Sequence, residues 1–277
     1  MILIEVASLV FSYDLISSFS SRLKLYEVKD KNPDFFIKNG KFPYKKEDLK
    51  EILTSKFYNL YKTRDDKIVQ LVKNDSGKVL GIISYDGNVA TLTYNQNYDD
   101  STLSYIEYTL SEYAFVYFLL RNKEALFVHS SSFIYKGLGV LLIASSGTGK
   151  STHRRLWEQY EGIKVINDDK NVLVYESDHF VIYPNPYSGK EIVESNENAP
   201  LKALVFLQRG NDEIKKVKEI EVVKNLLPHT INPSFIIDNE KWKNLYFKLV
   251  KTDAFLLKAS MKQDAVNCLK EKLDEIK

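Results

Sequence analysis

A glycine-rich loop between a predicted strand and a predicted helix constrains this chain more than any other feature. It lies in "LGVLLIASSGTGKSTHRRLWEQYEG", residues 138–162, where an apolar run precedes the loop and a helical pattern follows it. Strand, loop, Gly-Lys-Ser and helix, in that order, are the context that makes a short motif match a P-loop (Walker A) hypothesis. The alternative is an ordinary strand-to-helix turn that happens to be rich in glycine.

Each residue type in this loop has a physical role in holding phosphate. Glycines let backbone N–H groups turn inward without a clashing Cβ, the lysine reaches the β- and γ-phosphates, and the hydroxyl after it ligates magnesium. Ala144 stands where the pattern G-x-x-x-x-G-K-[ST] has its first glycine. The sequence predicts a nucleotide-binding loop made of Ser146, Gly147, Thr148, Gly149, Lys150, Ser151 and Thr152.

Two adjacent carboxylates follow the loop at a distance that suits shared chemistry. Asp168 and Asp169 lie 18 and 19 residues after Lys150, the length of one helix and one returning strand. A parallel strand beside the first would bring them next to Ser151, where one carboxylate can hold a metal and the other can accept a substrate proton. A plain surface turn, "NDDKN", is the alternative.

The histidines and the arginines near the loop are less specific. His129 ends the predicted strand "LFV" before the loop strand, as either a buried histidine or a site residue. The pattern favours a solvated helix face for His153, Arg154 and Arg155. No second ligand stands at metal-binding spacing from His179 or His229.

Composition excludes several classes of protein. Thirty-nine Lys and Arg against 37 Asp and Glu leave a net charge of +2, too balanced for a nucleic-acid or membrane binder that works through its overall field. The lone Cys268 rules out an internal disulfide and fits a reducing cytosol. The opening "MILIEVASLVFSY" is expected to be a first strand, since it lacks a basic n-region and a cleavage site. We therefore expect a cytoplasmic protein without a transmembrane segment.

The chain of 277 residues is expected to form two domains of mixed α/β structure. Residues 1–100 predict an α+β domain of short strands, with a helix in "YKKEDLKEILTSKFYNLYK" (44–62), that serves as scaffold or substrate side. A long helix is predicted from residue 99, and the domain that carries the loop is expected over residues 101–277.

The segments "VHSSSF", "GVLLIASSGTGKST", "VINDDKNVLV" and "YPNPYSGKE" together resemble the catalytic domain of the HPr kinase/phosphorylase family. The family's relatives include kinases that tailor precursor peptides of natural-product clusters. The resemblance runs from about residue 126 to residue 190, with weaker agreement of element order beyond it. It implies an α/β kinase core of the type shared with phosphoenolpyruvate carboxykinases.

The resemblance also implies site roles and a reaction. ATP or another nucleoside triphosphate, with Mg²⁺, would donate its γ-phosphate to a hydroxyl, with serine as the expected acceptor on a peptide, small protein or small molecule. Asp168 would be the general base, Ser151 and Asp169 would serve the magnesium, and His129 would lie close to both aspartates. Lys190 matches a basic position on the substrate side.

Two departures favour a tailoring or small-substrate kinase over a true HPr kinase. The segment after "PYSGK" lacks the longer signature used in phosphorolysis, and residues 1–100 are unlike the family's regulatory domain, so phosphorylase activity is not expected. A nucleotide-binding module without catalysis and a carboxykinase-type lyase are the alternatives. The acceptor, the nucleotide preference and a homo-oligomeric state stay open.

Overall fold

A computed structural model of the chain describes residues 1–189, 193, 195–231, 236 and 239–276. It is a mixed α/β structure with two sheets, which agrees with the α/β class expected from the sequence. The chain divides into two compact units, residues 1–119 and 120–277. The functional division at residue 100 stays a prediction.

The first unit is built on one eight-stranded sheet with the order β1-β2-β3-β8-β7-β6-β5-β4. Neighbouring strands are antiparallel except that β3 runs parallel to both β2 and β8. The strands are β1 (Ile2–Val6), β2 (Leu9–Asp14), β3 (Phe35–Asn39), β4 (Lys50–Thr54), β5 (Tyr58–Lys62), β6 (Ile68–Lys73), β7 (Val79–Asp86) and β8 (Val89–Thr93). The helices are α1 (Phe19–Lys24) and α2 (Asp100–Asn122).

The opening segment is a hairpin and not the single strand expected from sequence. β1 and β2 pair antiparallel from Ile2 opposite Tyr13 to Val6 opposite Leu9. Ala7 and Ser8 between them both have positive φ, 53° and 62°. Two positive φ values at the centre of a two-residue turn match the right-handed twist of paired strands, which explains why the chain reverses here.

The helix predicted for residues 44–62 is wrong. Apart from a short 3₁₀ turn (Lys46–Asp48), this segment forms the antiparallel strands β4 and β5. The Lys, Glu and Leu residues here favour a helix locally, but pairing of β5 with β6 buries Leu60 completely. Ser55 also stabilises the reversal through hydrogen bonds with Tyr58. Tertiary pairing overrides a weak local propensity in this segment.

The second unit contains a sheet in which the order β12-β10-β11-β15-β14-β13-β9 is continued by β17 and β16 beside β15. β11, β15 and β17 are parallel, and the other pairs are antiparallel. The strands in the described residues are β9 (Ala125–His129), β10 (Ser131–Tyr135), β11 (Leu138–Ile143), β12 (Lys164–Asn167), β13 (Lys170–Glu176), β14 (His179–Tyr183), β15 (Ala199–Arg209), β16 (Glu213–Lys216) and β17 (Asp253–Ala259). The helices are α3 (Lys150–Glu161), α4 (Glu219–Leu226), α5 (Asn239–Leu249) and α6 (Gln263–Glu275).

Helices cover both faces of the β11 region, because β11 is apolar on both of its faces. Val140 and Leu142 belong to the core formed with Trp157 of α3 and with α6. Leu141 and Ile143 belong to the opposite core, formed with α4 and α5. Strands that are buried on both faces have continuous apolar sequences, which explains the apolar run "GVLLI" in β11. Packing on both faces of β11 therefore holds the start of the glycine-rich loop, residues 144–149, in place.

The sequence predicted that the strand leading to the two aspartates would lie beside β11. This prediction is wrong. β10 pairs antiparallel with both β11 and β12 and separates them. β12 still runs in the same direction as β11, so the two strands end at the same edge of the sheet. The aspartates reach the loop from one strand further away, and β10 contributes side chains between them.

None of the helices in the described parts of the chain combines the length and the apolar character that a membrane crossing requires.

Candidate active site

The glycine-rich loop has the backbone conformation that its glycines permit. Gly147 has φ 77° and Gly149 has φ 117°, values that residues with a Cβ rarely adopt. A Cβ added to Gly149 would also lie 2.5 Å from Cε of Met261. α3 begins directly after Gly149, so the free N–H groups of its first turn point out of the helix end beside the loop.

Lys150 folds back over the loop and is almost buried. Its Nζ donates a hydrogen bond to the carbonyl oxygen of Ala144 at 2.6 Å. Burial lowers the pKa of Lys150, and the nearby charges of Asp169 and Asp168 oppose this shift in part. A lysine this close to two carboxylates and to the loop backbone is placed to meet an anion that enters the loop.

Asp168 is held from two sides. Its Oδ1 accepts hydrogen bonds from Oγ of Ser131 at 2.9 Å and from Nε of Arg154 at 2.8 Å. The side chains of Arg154 and Asp168 are only 4% and 7% exposed. Arg154 also pairs with Glu158 one helical turn further along α3. This carboxylate is therefore a buried, oriented charge.

The solvated helix face expected for His153 and Arg154 is wrong. His153 is completely buried, and its Nε2 accepts a hydrogen bond from Nε1 of Trp157 at 3.3 Å. Burial lowers the pKa of His153 to about 4, so it is neutral at pH 7. Arg154 faces inward because Asp168 neutralises it, which a pattern of polar residues on a helix cannot reveal. Arg155 borders the cavity described below.

Asp169 is paired with His129, the last residue of β9. His129 Nε2 lies 3.1 Å from Oδ1 of Asp169, and β13 pairs Lys170 opposite His129. Burial alone would raise the pKa of Asp169, but the His129 hydrogen bond and the charges of Lys170 and Lys150 outweigh it and lower the pKa. Asp169 is therefore ionised at neutral pH. His129 lies at the site rather than in a core.

A cavity of about 540 Å³, here called the loop cavity, joins these groups. It is lined by residues 146–152 together with His129, Asp168, Asp169 and Arg209. Gly189 approaches Asp169 so closely that an added Cβ would lie 3.0 Å from the Asp169 Cβ. The structure thus places around one cavity every candidate site residue except Lys190, which lies outside the described residues.

Sequence reasoning missed three residues of this site. Ser131 and Arg154 hold Asp168, and Arg209 at the end of β15 donates through Nη2 to the carbonyl oxygen of Gly147 at 2.8 Å. Ser131 falls in the quoted "VHSSS", and Arg209 ends a strong strand pattern, "LKALVFLQR". The parallel pairing of β15 with β11 would have been the signal for Arg209, because parallel neighbours end at one edge.

Similarity to known proteins is found among solved structures and not at the level of sequence. No family model matches the chain, and no curated protein matches it. Among solved structures, the HPr(Ser) kinase/phosphatase from Coxiella burnetii aligns with 53% of this chain and 98% of its own chain, at 12% identity and a TM-score of 0.33. Because this similarity is weak, the function of the site is inferred from the geometry of the site itself.

Proposed function

We propose that this chain is a magnesium-dependent kinase that transfers the γ-phosphate of ATP, or another nucleoside triphosphate, to a hydroxyl group. One observation carries the proposal: the glycine-rich loop, Lys150, the two aspartates and His129 border one cavity. A loop of this type alone only binds nucleotide. The additional carboxylates supply the metal ligand and the proton acceptor that phosphoryl transfer to a hydroxyl needs.

The residues present fit a nucleotide and its metal. The N–H groups of the loop and of the first turn of α3 favour phosphate, as does the buried cation of Lys150. Mg²⁺ is usually held by one or two carboxylates together with substrate phosphates and water. In the described residues no cluster of three or more His, Cys, Asp or Glu could hold a metal. Ser151 and Asp169 are the proposed protein ligands.

Asp168 is the proposed general base. As the acceptor oxygen bonds to the γ-phosphorus, the bond from that phosphorus to the β–γ bridging oxygen breaks, and the hydroxyl proton passes to Asp168. ADP leaves with the bridging oxygen. Bound Mg²⁺ and Lys150 would neutralise charge on the transferred group. Arg154 and Ser131 keep Asp168 in position while the proton moves.

His129 is the proposed partner of Asp169, holding it ionised and oriented toward the loop cavity. The 3.1 Å pair supports this role, and the lowered pKa of Asp169 agrees with it. Lys190, by contrast, stays a prediction for the substrate side. The resemblance to the HPr kinase family supports serine as the acceptor type, and the departures from that family support a peptide or small-molecule substrate.

The test measures phosphate transfer from γ-labelled ATP to serine-containing peptides and to free L-serine. Asp168→Asn should lower the transfer rate by about 10³-fold, since general-base catalysis contributes about 10²–10⁴-fold. Lys150→Ala should weaken both nucleotide binding and transfer. Asp178→Asn, the same change in the exposed β13–β14 turn, is the matched control and should leave transfer unchanged.

Undiminished transfer in Asp168→Asn would contradict the base assignment. Nucleotide binding that survives Asp168→Asn, together with no transfer by the natural chain to any acceptor, would identify a binding module without catalysis.

A further inference from the structure

The loop cavity has two ends, because the residues that line it come from strands on opposite sides of β11. Asp168 and Asp169 follow β12, which lies beyond β10 on one side of β11. Arg209 ends β15 and Met261 follows β17, and these two strands lie on the other side of β11. All four residues line the cavity. The proposed chemistry involves the aspartates, so the end formed by Arg209 and Met261, here called the methionine end, has no ligand assigned to it.

The chain segments that follow β15 and β17 are joined to each other, and this contact fixes the methionine end. Asp212 accepts hydrogen bonds from the backbone N–H of Ser260 at 2.7 Å and from the Ser260 hydroxyl. Gly210 N also donates to the carbonyl oxygen of Ala259 at 3.1 Å. Met261 follows directly and has φ 61°, a conformation that a residue with a long side chain keeps only when its surroundings hold it there. The fold therefore determines where Met261 lies.

The thioether of Met261 lies across the start of α3. A Cβ built on Gly149 would be 2.5 Å from Cε of Met261 and 3.0 Å from its sulfur, so the side chain covers the point where the loop becomes the helix. Met261 also packs against the core that contains Trp157 and Leu269. The side chain thus lies between this core and the loop cavity, and it presents an apolar surface beside the helix start.

The proposed position of the phosphates leaves one direction for the nucleoside. The γ-phosphate has to meet Lys150, Asp168 and Asp169, because these residues are assigned to charge neutralisation, proton transfer and the metal. The N–H groups of the loop and of the first turn of α3 favour the remaining phosphates. A nucleoside attached to the innermost phosphate therefore extends away from the aspartates, toward the methionine end of the same cavity.

The two side chains of the methionine end suit the face of an aromatic base better than its edge. The sulfur of methionine makes favourable contacts with aromatic rings. The guanidinium group of Arg209, held by its hydrogen bond to the Gly147 carbonyl oxygen, belongs to a type that stacks on aromatic faces and also binds phosphate. Arginine has no hydrogen-bond acceptor and methionine has only a weak one. Neither side chain can therefore select adenine through its amino group.

We propose that the methionine end is the nucleoside site, where the base packs against Met261 beside the guanidinium of Arg209, and that this site accepts GTP as well as ATP. This inference rests on the proposed kinase function. Met261 contacts the base, whereas Asp212 and Ser260 are positioning residues that hold Met261 in place. The phosphoryl acceptor enters at the aspartate end, where its hydroxyl can meet Asp168.

A methyl NMR experiment on the natural chain tests the position of the base. Met261 and Met1 are the two methionines, so a chain labelled with ¹³C at the methionine methyl groups gives two signals, which Met261→Leu assigns. ATP with Mg²⁺ should move the Met261 signal upfield, because a ring stacked on the methyl group shields it. Inorganic tripolyphosphate with Mg²⁺ has no ring and should cause no such upfield shift, and exposed Met1 is the internal control. Equal shifts with both ligands, or none with either, would overturn the proposal.

Isothermal titration calorimetry without an acceptor measures what the contact contributes. Met261→Ala should raise the dissociation constant for ATP about 5-fold, in line with a modest contact between sulfur and an aromatic ring, and should change that for tripolyphosphate less than about 2-fold. Exposed Ile220→Ala is the matched control and should leave both constants unchanged. An equal loss for the two ligands in Met261→Ala would mean that Met261 supports the loop and not the base, which would overturn the proposal.

The same titration with GTP tests how the base is recognised. The dissociation constants for ATP and GTP should agree within about 5-fold, because large discrimination arises where a site forms hydrogen bonds that the wrong ligand leaves unpaired. A stronger preference for ATP would overturn recognition of the base by its face. Absence of binding of both ATP and tripolyphosphate would contradict the proposed function itself, whereas equal affinity for the two would contradict this inference alone.

Discussion

Each unit of the molecule holds carboxylates among polar groups, and the two sets of carboxylates differ in what surrounds them. In the first unit, Glu107 of α2 is completely buried and accepts hydrogen bonds from Ile16 N, Ser17 N, Ser17 Oγ, Asn39 and Tyr94. In the second unit, Asp168 and Asp169 also accept hydrogen bonds, but both border a cavity beside a loop suited to phosphate.

The difference is the basis for proposing a structural role for Glu107 and a chemical role for the two aspartates. Donors from the loop after β2, from the last residue of β3 and from the residue after β8 surround Glu107, so its charge fixes backbone positions. Asp169 is 30% exposed at its side chain and has His129 as its partner. Burial and hydrogen bonding alone therefore do not mark a catalytic group. A carboxylate that also borders a cavity with anion-binding features is a candidate for a catalytic group.

The largest expected effect is on transfer by Asp169→Asn. Loss of the charge proposed to bind the metal should lower phosphate transfer about 10³-fold, equivalent to about 4 kcal/mol of transition-state stabilisation. The free energy of unfolding should change by less than about 1 kcal/mol, because a partly exposed pair contributes little. Urea unfolding and transfer are measured together, with Asp66→Asn as an exposed control. A large stability loss with normal transfer would place Asp169 in the same class as Glu107.

A pH series on His153→Gln tests the second unit by itself. The unfolded chain takes up a proton at the ordinary pKa of 6.5, whereas burial holds the folded pKa at about 4. The natural chain should therefore lose about 3 kcal/mol of stability as pH falls from 6.5 to 4, and the variant should lose much less over that range. Urea unfolding at several pH values measures this, with exposed His179→Gln as control. Parallel curves for the natural chain and the variant would contradict it.

Glu107→Gln tests the first unit in the same way. An amide nitrogen would face N–H donors, so we expect a loss of about 2 kcal/mol in unfolding free energy at neutral pH. Burial alone would raise the pKa of Glu107, but its hydrogen bonds outweigh burial and lower the pKa below 4.5. Its contribution to stability is therefore lost as pH falls through that lowered value, and the gap between variant and natural chain should close there. Exposed Glu47→Gln is the control, and a gap independent of pH would contradict the assignment.

The smallest expected effect is that of Arg154→Lys, which keeps the charge beside Asp168 but not the Nε–H that holds it. Transfer should fall about 10-fold in kcat, since lysine and arginine are not equivalent at an oriented contact. The KM for ATP should stay unchanged, which separates positioning from binding. Exposed Arg64→Lys is the matched change. An unaltered kcat would show that Asp168 needs only charge neutralisation.

Local order in the sequence was enough to predict the loop region. The strand, loop and helix over residues 138–162 were predicted from one apolar run, two glycines and a helical pattern. The aspartates and His129 were predicted near the loop, and the structure places them there. Their roles in catalysis stay predictions. The strand, loop and helix depend on residues close together in the chain, whereas the closeness of His129 to the aspartates was implied by the family resemblance.

Long-range pairing was the part that sequence patterns could not reveal. β5 is a strand because it pairs with β6, and β4 then pairs with β5, while β12 is separated from β11 because β10 turns back between them. Arg154 looked solvated because its partner, Asp168, lies 14 residues away on another element. A single sequence contains no direct record of such contacts.

The turn at the far end of the β10–β11 hairpin decides whether Ser131 can reach Asp168. Tyr135 pairs opposite Leu138, and only Lys136 and Gly137 join them, with φ 51° and 78°. Side chains alternate along a strand, so one inserted residue that slipped the register would move Ser131 and its hydroxyl to the opposite face of the sheet. Homologous or designed chains should therefore conserve the length of this turn even where its sequence drifts.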